Sequence, residues 1–149
     1  MPDDLELAFL LGHGYNALLG EFVRRLDAAG YGDLRPVHGF VFQALRGPGR
    51  TASELAEHLG VTKQAAGQLV DELERRGYVA RVAHPAGGRR RLVVLTAAAE
   101  RHLEIAGRAL HQLERELAAK LPVDRLRNDL VALIRTLSGD QLPPLRPIW

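Results

Sequence analysis

Between Thr51 and Gly77 the chain spells out two helical segments with almost no room between them. Thr51-Ala52-Ser53-Glu54 has the spacing of a capping box, in which the Thr51 hydroxyl and the Glu54 carboxylate satisfy each other's orphan backbone donors. Leu55, Ala56 and Leu59 then recur on one helical face, and Gly60 stops the segment. Val61 and Thr62 open the next one at once. Its Ala66, Leu69, Val70 and Leu73 point inward, and Gly77 stands where a left-handed residue ends a helix. A short helix that braces a second one, across a turn closed by a small residue, is a helix-turn-helix.

The segments on either side narrow the class further. Tyr78–Val82 and Arg91–Leu95 are two β-prone runs separated by His84-Pro85-Ala86-Gly87-Gly88, which reads as a hairpin with a flexible, glycine-bearing tip. On the N-terminal side, Pro36 suits a first helical turn, and Val37, Phe40, Val41, Ala44 and Leu45 form an apolar face that stops at Gly47-Pro48-Gly49. Leu5 to Leu26 repeat apolar residues at three- and four-residue steps, predicting a helix that ends near Ala29-Gly30. Gly12, Gly14 and Gly20 weaken that helix by about 1 kcal/mol each relative to alanine, so it needs packing from outside itself. Thr96 is placed to cap a long helix through Leu117, broken at Leu121-Pro122, and a last helix carries Leu126, Leu130, Leu133, Ile134 and Leu137. Prolines keep the tail from Leu142 to Trp149 extended, with Trp149 either a docked anchor or a solvent-exposed end.

These elements predict a mainly α fold with a small β-hairpin wing. One compact domain contains an N-terminal dimerisation helix (1–35), a winged helix-turn-helix (36–96), C-terminal dimerisation helices (97–138) and an extended tail (139–149). Charge follows the same divisions. Residues 1–34 carry two arginines against six acids, a net −4, whereas 61–96 carry seven cations against three acids, a net +4. The positive charge lies where a polyanion would meet the helix-turn-helix and the hairpin.

With its apolar face inward, the second helix of the motif turns Lys63, Gln64, Gly67, Gln68 and Asp71 outward. Glutamine pairs bidentately with adenine, lysine donates to guanine or to a phosphate, and Gly67 permits a close approach in a major groove. The helix start near Thr62 attracts a backbone phosphate. Arg89, Arg90 and Arg91 sit beside the hairpin tip, where a guanidinium can enter a narrow minor groove. The expected division is Lys63, Gln64 and Gln68 on bases, Arg89 and Arg91 in the minor groove, and Thr62 and Arg90 on phosphates. Arg75 and Arg76, near a helix carboxyl end, are read first as complements to its dipole.

In this order and spacing, Thr51–Val61, the run Leu-Val-Asp-Glu-Leu-Glu-Arg-Arg-Gly-Tyr-Val from Leu69 to Val79, and Arg89–Thr96 resemble the MarR-type winged-helix regulators. The resemblance implies a triangular homodimer joined through its first and last two helices, with one recognition helix in each half of a pseudo-palindromic operator. It also implies repression, released by small and often aromatic or phenolic ligands held between the dimerisation and DNA-binding parts. The chain departs from the family's Asp-x-Arg-x-Arg wing, since Gly87 stands at the acidic position while Arg89 and Arg91 match. His13, Tyr15 and His38 are candidates for an effector pocket where the first two helices could meet, against the plainer reading of them as core or interface residues.

Other classes fare worse. With no cysteine there is no disulfide, thiolate metal site or cysteine nucleophile. The six histidines show no metal-binding spacing, so neither metal nor cofactor is expected. Ser53 and Ser138 lack a nucleophile turn and no phosphate loop occurs, which speaks against an enzyme. The acidic start lacks a secretory n-region and no apolar run spans a bilayer, so a cytoplasmic location is expected. Two rivals remain: a winged helix used for protein–protein assembly, and a ligand-binding module with little DNA affinity.

Overall fold

The computed structural model describes residues 4–145, so Trp149 and the end of the tail lie outside the described residues. Among those residues the order is α1 (Leu7–Leu26), α2 (Pro36–Leu45), α3 (Ala52–Leu59), α4 (Lys63–Arg75), β1 (Val79–Ala83), β2 (Arg91–Leu95), α5 (Ala97–Ala118) and α6 (Val123–Ser138). This is a mainly helical winged helix-turn-helix flanked by helices from both ends. No helix among the described residues is long and apolar enough to cross a membrane.

One core gathers Val41, Phe42 and Leu45 from α2, Leu55 and Leu59 from α3, and Val70 and Leu73 from α4, together with Val79 and Val93 from the hairpin and Ala99 and Leu103 from α5. Each contributes the inward face of its element, removing apolar area from water at about 25 cal/mol per Å². The two strands pair antiparallel, Val79 opposite Leu95 through Ala83 opposite Arg91. The inner end of the hairpin is buried at Val79 and Val93, while its outer end stands in solvent.

A third segment joins this sheet that periodicity did not reveal. Arg50 N donates to Val93 O at 3.1 Å and Val93 N to Arg50 O at 2.7 Å, so one residue before α3 pairs with the middle of β2. The chain reaches that position through Gly49, at φ +81°, where a Cβ would press on the Val93 carbonyl and lie 2.9 Å from Val94 Cγ1. The Arg50 guanidinium also donates to Ala44 O at 2.7 Å, satisfying a carbonyl that the end of α2 leaves open.

Two boundaries differ from expectation. The α-helical part of α1 ends at Leu26 and continues as one wide turn, Asp27–Tyr31, in which Gly30 takes φ +98°. Thr96 occupies the N-cap position of α5 without capping it, because its hydroxyl donates instead to Gly77 O at 2.6 Å and ties the end of α4 to the start of α5.

The outer helices are unlike the core ones. Neither α1 nor α6 has a single buried residue, and Phe9 and Leu137 are 61% and 76% exposed. Arg25 links α1 to Glu116 of α5 at 2.5 Å, an ion pair that fixes orientation but covers little apolar area.

Candidate nucleic-acid interface

The helix-turn-helix is built as its residues prescribe. Thr51 Oγ1 accepts from Glu54 N at 3.2 Å and Glu54 Oε2 accepts from Thr51 N at 2.9 Å, closing the capping box. Gly60 takes the left-handed conformation at φ +66° and Val61 N donates back to Ala56 O, so the chain turns directly into α4. There Thr62 Oγ1 accepts from Ala65 N at 3.0 Å. The first turn of α4 holds no acidic residue, and the positive end of its dipole is left uncompensated by side chains.

Ala66, Val70 and Leu73 are fully buried, which turns Lys63, Gln64 and Gln68 to solvent. None of these three makes a side-chain hydrogen bond or ion pair with a described residue. A Cβ built on Gly67 would meet nothing within 4 Å, so packing inside the chain does not explain that glycine. Asp71 behaves differently from the expectation that it faces outward freely. It accepts from Arg81 Nη2 at 2.6 Å while Glu74 accepts from Arg81 Nη1 at 2.9 Å, and this pair of contacts fastens β1 to the flank of α4.

At the wing, Arg89 and Arg90 are exposed and unpaired among the described residues. Arg91 donates to Arg81 O at 3.0 Å, so a backbone carbonyl orients a wing arginine in a chain whose acidic position is Gly87. The tip is a hydrogen-bonded turn: Gly87 N donates to His84 O at 2.9 Å, Ala86 N donates to His84 Nδ1 at 3.0 Å, and Gly87 and Gly88 take φ near +78°. Arg76 is held by Glu72 at 2.8 Å and by the Asp33 carbonyl, leaving Arg75 as the freer cation at the end of α4.

The structure does not bring His13, Tyr15 and His38 together. His13 is exposed on α1, Tyr15 is half-buried, and His38 is completely buried on α2 with its ring toward α4. Arg35 N donates to His38 Nδ1 at 2.9 Å, so the proton is on Nε2, which lies 3.3 Å from Glu72 Oε2. Burial pushes the His38 pKa below the ordinary histidine value against the opposing pull of Glu72. Burial also pushes the Glu72 carboxyl up, but its contacts with His38 and Arg35 outweigh that and hold it below the usual range.

A cavity of about 420 Å³ lies instead between α1, α2 and α5, within the range of small-molecule sites. Leu19, Phe22, Phe40, Leu103 and Leu110 give it an apolar body, and Arg35, Arg46 and Asp27 give it charged groups. His102, also in its wall, is 3% exposed and packs edge-on to Tyr31 with ring centroids 4.5 Å apart. Its Nδ1 is buried with no hydrogen-bond partner, and burial pushes its pKa below the ordinary value. The sequence held one signal for this residue, a histidine three positions after the inward-facing Ala99.

Residues 35–90 match the sequence model of the MarR family. Over that stretch, about a third of its length, the chain is similar to the MarR family. Several solved structures share the fold across nearly the whole chain. MepR, a transcription regulator of the Staphylococcus aureus multidrug efflux pump MepA, is 18% identical, with 90% of this chain and 100% of that one covered at TM-score 0.72. CouR of Rhodococcus jostii, solved with p-coumaroyl-CoA, is 24% identical, with 95% and 96% covered at TM-score 0.70. A point mutant of S. aureus MepR bound to an oligodeoxyribonucleotide is 18% identical, with 91% and 100% covered at TM-score 0.63. No curated protein matches the chain in sequence. These likenesses show that the chain shares the fold of those proteins.

Proposed function

We propose that this MarR-type chain is a sequence-specific, dimeric transcription regulator, a repressor released from a pseudo-palindromic operator by a small-molecule ligand. The observation that carries the reading is the exposed set Lys63, Gln64 and Gln68 on the outer face of α4, with exposed Arg89 and Arg90 on the wing, all unpaired among the described residues. These groups have no side-chain hydrogen bond or ion pair among the described residues and the chemistry to meet base edges and phosphates. Thr62 and Arg90 take phosphates, and Arg89, with Arg91 held at the wing root, takes the minor groove. The oligonucleotide bound to the MepR mutant supports duplex DNA as the partner of this fold.

Residues 36–96 form the DNA-binding part. Residues 1–35 and 97–138 supply the subunit interface, because α1 and α6 have no buried residue and a Cβ on Gly12, Gly14 or Gly20 of α1 would meet nothing within 4 Å among the described residues. Residues 139–149 are an appended tail. The cavity between α1, α2 and α5 is the effector site, its apolar body suited to an aromatic group and its Arg35 and Arg46 to a polar one. A regulator of this kind works in the cytoplasm, beside the DNA.

The test is a duplex titration at several salt concentrations, using a sequence enriched from a random pool by the purified protein. A dimer contacting ~6 phosphates loses affinity about a thousandfold between ~50 and ~200 mM salt. Weak binding indifferent to salt would favour the protein-assembly reading, and a monomer in micromolar sedimentation would remove the dimer.

Gly67→Ala separates folding from reading. The added methyl enters open space on a helix, so stability should rise by about 0.5–1 kcal/mol in a thermal melt. Affinity for the enriched duplex should fall in the same protein, because the methyl stands where α4 approaches the groove. An unchanged affinity would remove Gly67 from the interface.

A further inference from the structure

Arg35 belongs to two sites. It forms part of the wall of the cavity between α1, α2 and α5, and it also lines a shallow groove beside α4 with Val61, Gln68 and Glu72. Its Nη2 donates to Glu72 Oε2 at 3.0 Å. Glu72 lies one helical turn beyond Gln68, on the element that carries the exposed Lys63–Gln68 surface. It is also where α2 is fastened to α4, since His38 from α2 and Arg35 at its start both reach this carboxylate.

The fastening can change partners without leaving a bare charge. If Arg35 turns into the cavity, Glu72 keeps Arg76 at 2.8 Å and His38 Nε2 at 3.3 Å. Arg35 is exposed enough to swing, and its other guanidinium nitrogens have no partner among the described residues. The cavity body is apolar, with Arg35 and Arg46 near the ends of α2 and Asp27 as the opposing acid. A ligand with an apolar body and one carboxylate would bury the first and present the second to a guanidinium, whose fork matches it. That carboxylate and Glu72 then compete for the same group.

We propose that Arg35 couples the cavity to the recognition helix: a small amphipathic carboxylate in the cavity draws the Arg35 guanidinium off Glu72 and loosens α4 from α2. The inference rests on the ligand-regulated reading above and gives that regulation its route. Ligand and duplex then oppose each other because each favours a different partner for one arginine, which is the differential contact that coupling between sites requires.

The experiment uses the full chain, the enriched duplex in a fluorescence-anisotropy titration, and two probes of matched shape, naphthalene-2-carboxylate and its neutral counterpart 2-naphthamide. Calorimetry reports their binding to the protein. Saturating carboxylate should weaken duplex binding by about fivefold or more, and the amide by less than about twofold. In Arg35→Gln and in Glu72→Gln the effect of the carboxylate should fall below about twofold, and Arg35→Lys should restore part of it. Glu72→Gln should still bind the carboxylate, which separates loss of the route from loss of the site. Thermal melts confirm that each variant is folded, and Glu72→Gln carries the test if Arg35→Gln is not. Coupling that persists in either variant, or an amide as effective as the carboxylate, overturns the proposal. Absence of calorimetric binding by both probes withdraws the cavity as a site and the relay with it, while the duplex titration alone decides whether the chain binds DNA.

Discussion

Gln68→Ala is expected to weaken binding to the enriched duplex by about 1–3 kcal/mol per half-site, roughly five- to 150-fold for each, with little change in melting temperature. The side chain is exposed and makes no hydrogen bond among the described residues, so truncating it should cost the fold almost nothing. The loss should be confined to sequences with the preferred base at the position Gln68 reads, flattening discrimination there. Arg90→Ala, which removes a phosphate contact, should instead weaken all duplexes more evenly and lower the slope of log affinity against log salt by about 1 for each lost contact. Gel-shift titrations with the two variants would show this contrast, and unchanged affinity in both would remove the assignment of α4 and the wing.

The largest effect on stability should come from Gly49→Ala. A side chain there must adopt φ +81° and would press on the Val93 carbonyl, a backbone group that cannot step aside cheaply. The strand-like pairing of Arg50 with Val93, two hydrogen bonds, would be lost with it. A strained backbone costs on the order of 1–3 kcal/mol and two lost buried hydrogen bonds add to that, so a destabilisation of about 3 kcal/mol or more is expected. For a chain of this length that lowers the melting temperature by roughly 6–12 °C. Gly47→Ala is the control, since Gly47 also has φ +81° but meets nothing within 4 Å. It should cost about 1 kcal/mol, and equal effects in the two variants would show that the contact with Val93 is unimportant.

Gly49 also marks where reading the sequence runs out. Elements with a period or a cap were legible: the Thr51–Glu54 box, Gly60 between two amphipathic segments, Gly77 after α4, and the two β-prone runs. The pairing of Arg50 with Val93 involves one residue, has no period, and spans about forty positions, so no local pattern announces it. The ion pairs of Arg81 with Asp71 and Glu74 were hidden for a related reason, because helix periodicity says which residues leave the core and not what they meet outside it. The proposed DNA-facing residues could be picked from α4 alone. The cavity could not, as its walls come from three helices distant in sequence. The sequence puts His13, Tyr15 and His38 where the first two helices could meet, but the ring of His38 turns toward Glu72 because it shares the inward face of α2 with Val41 and Phe42.

The bare outer helices carry a consequence for dosage. If α1 and α6 are covered only when two copies meet, then at low abundance the species able to occupy an operator grows with the square of the amount of chain made. A promoter under such control would answer a modest fall in synthesis with a disproportionate rise in output, and the regulator would act as a threshold element before any ligand arrived.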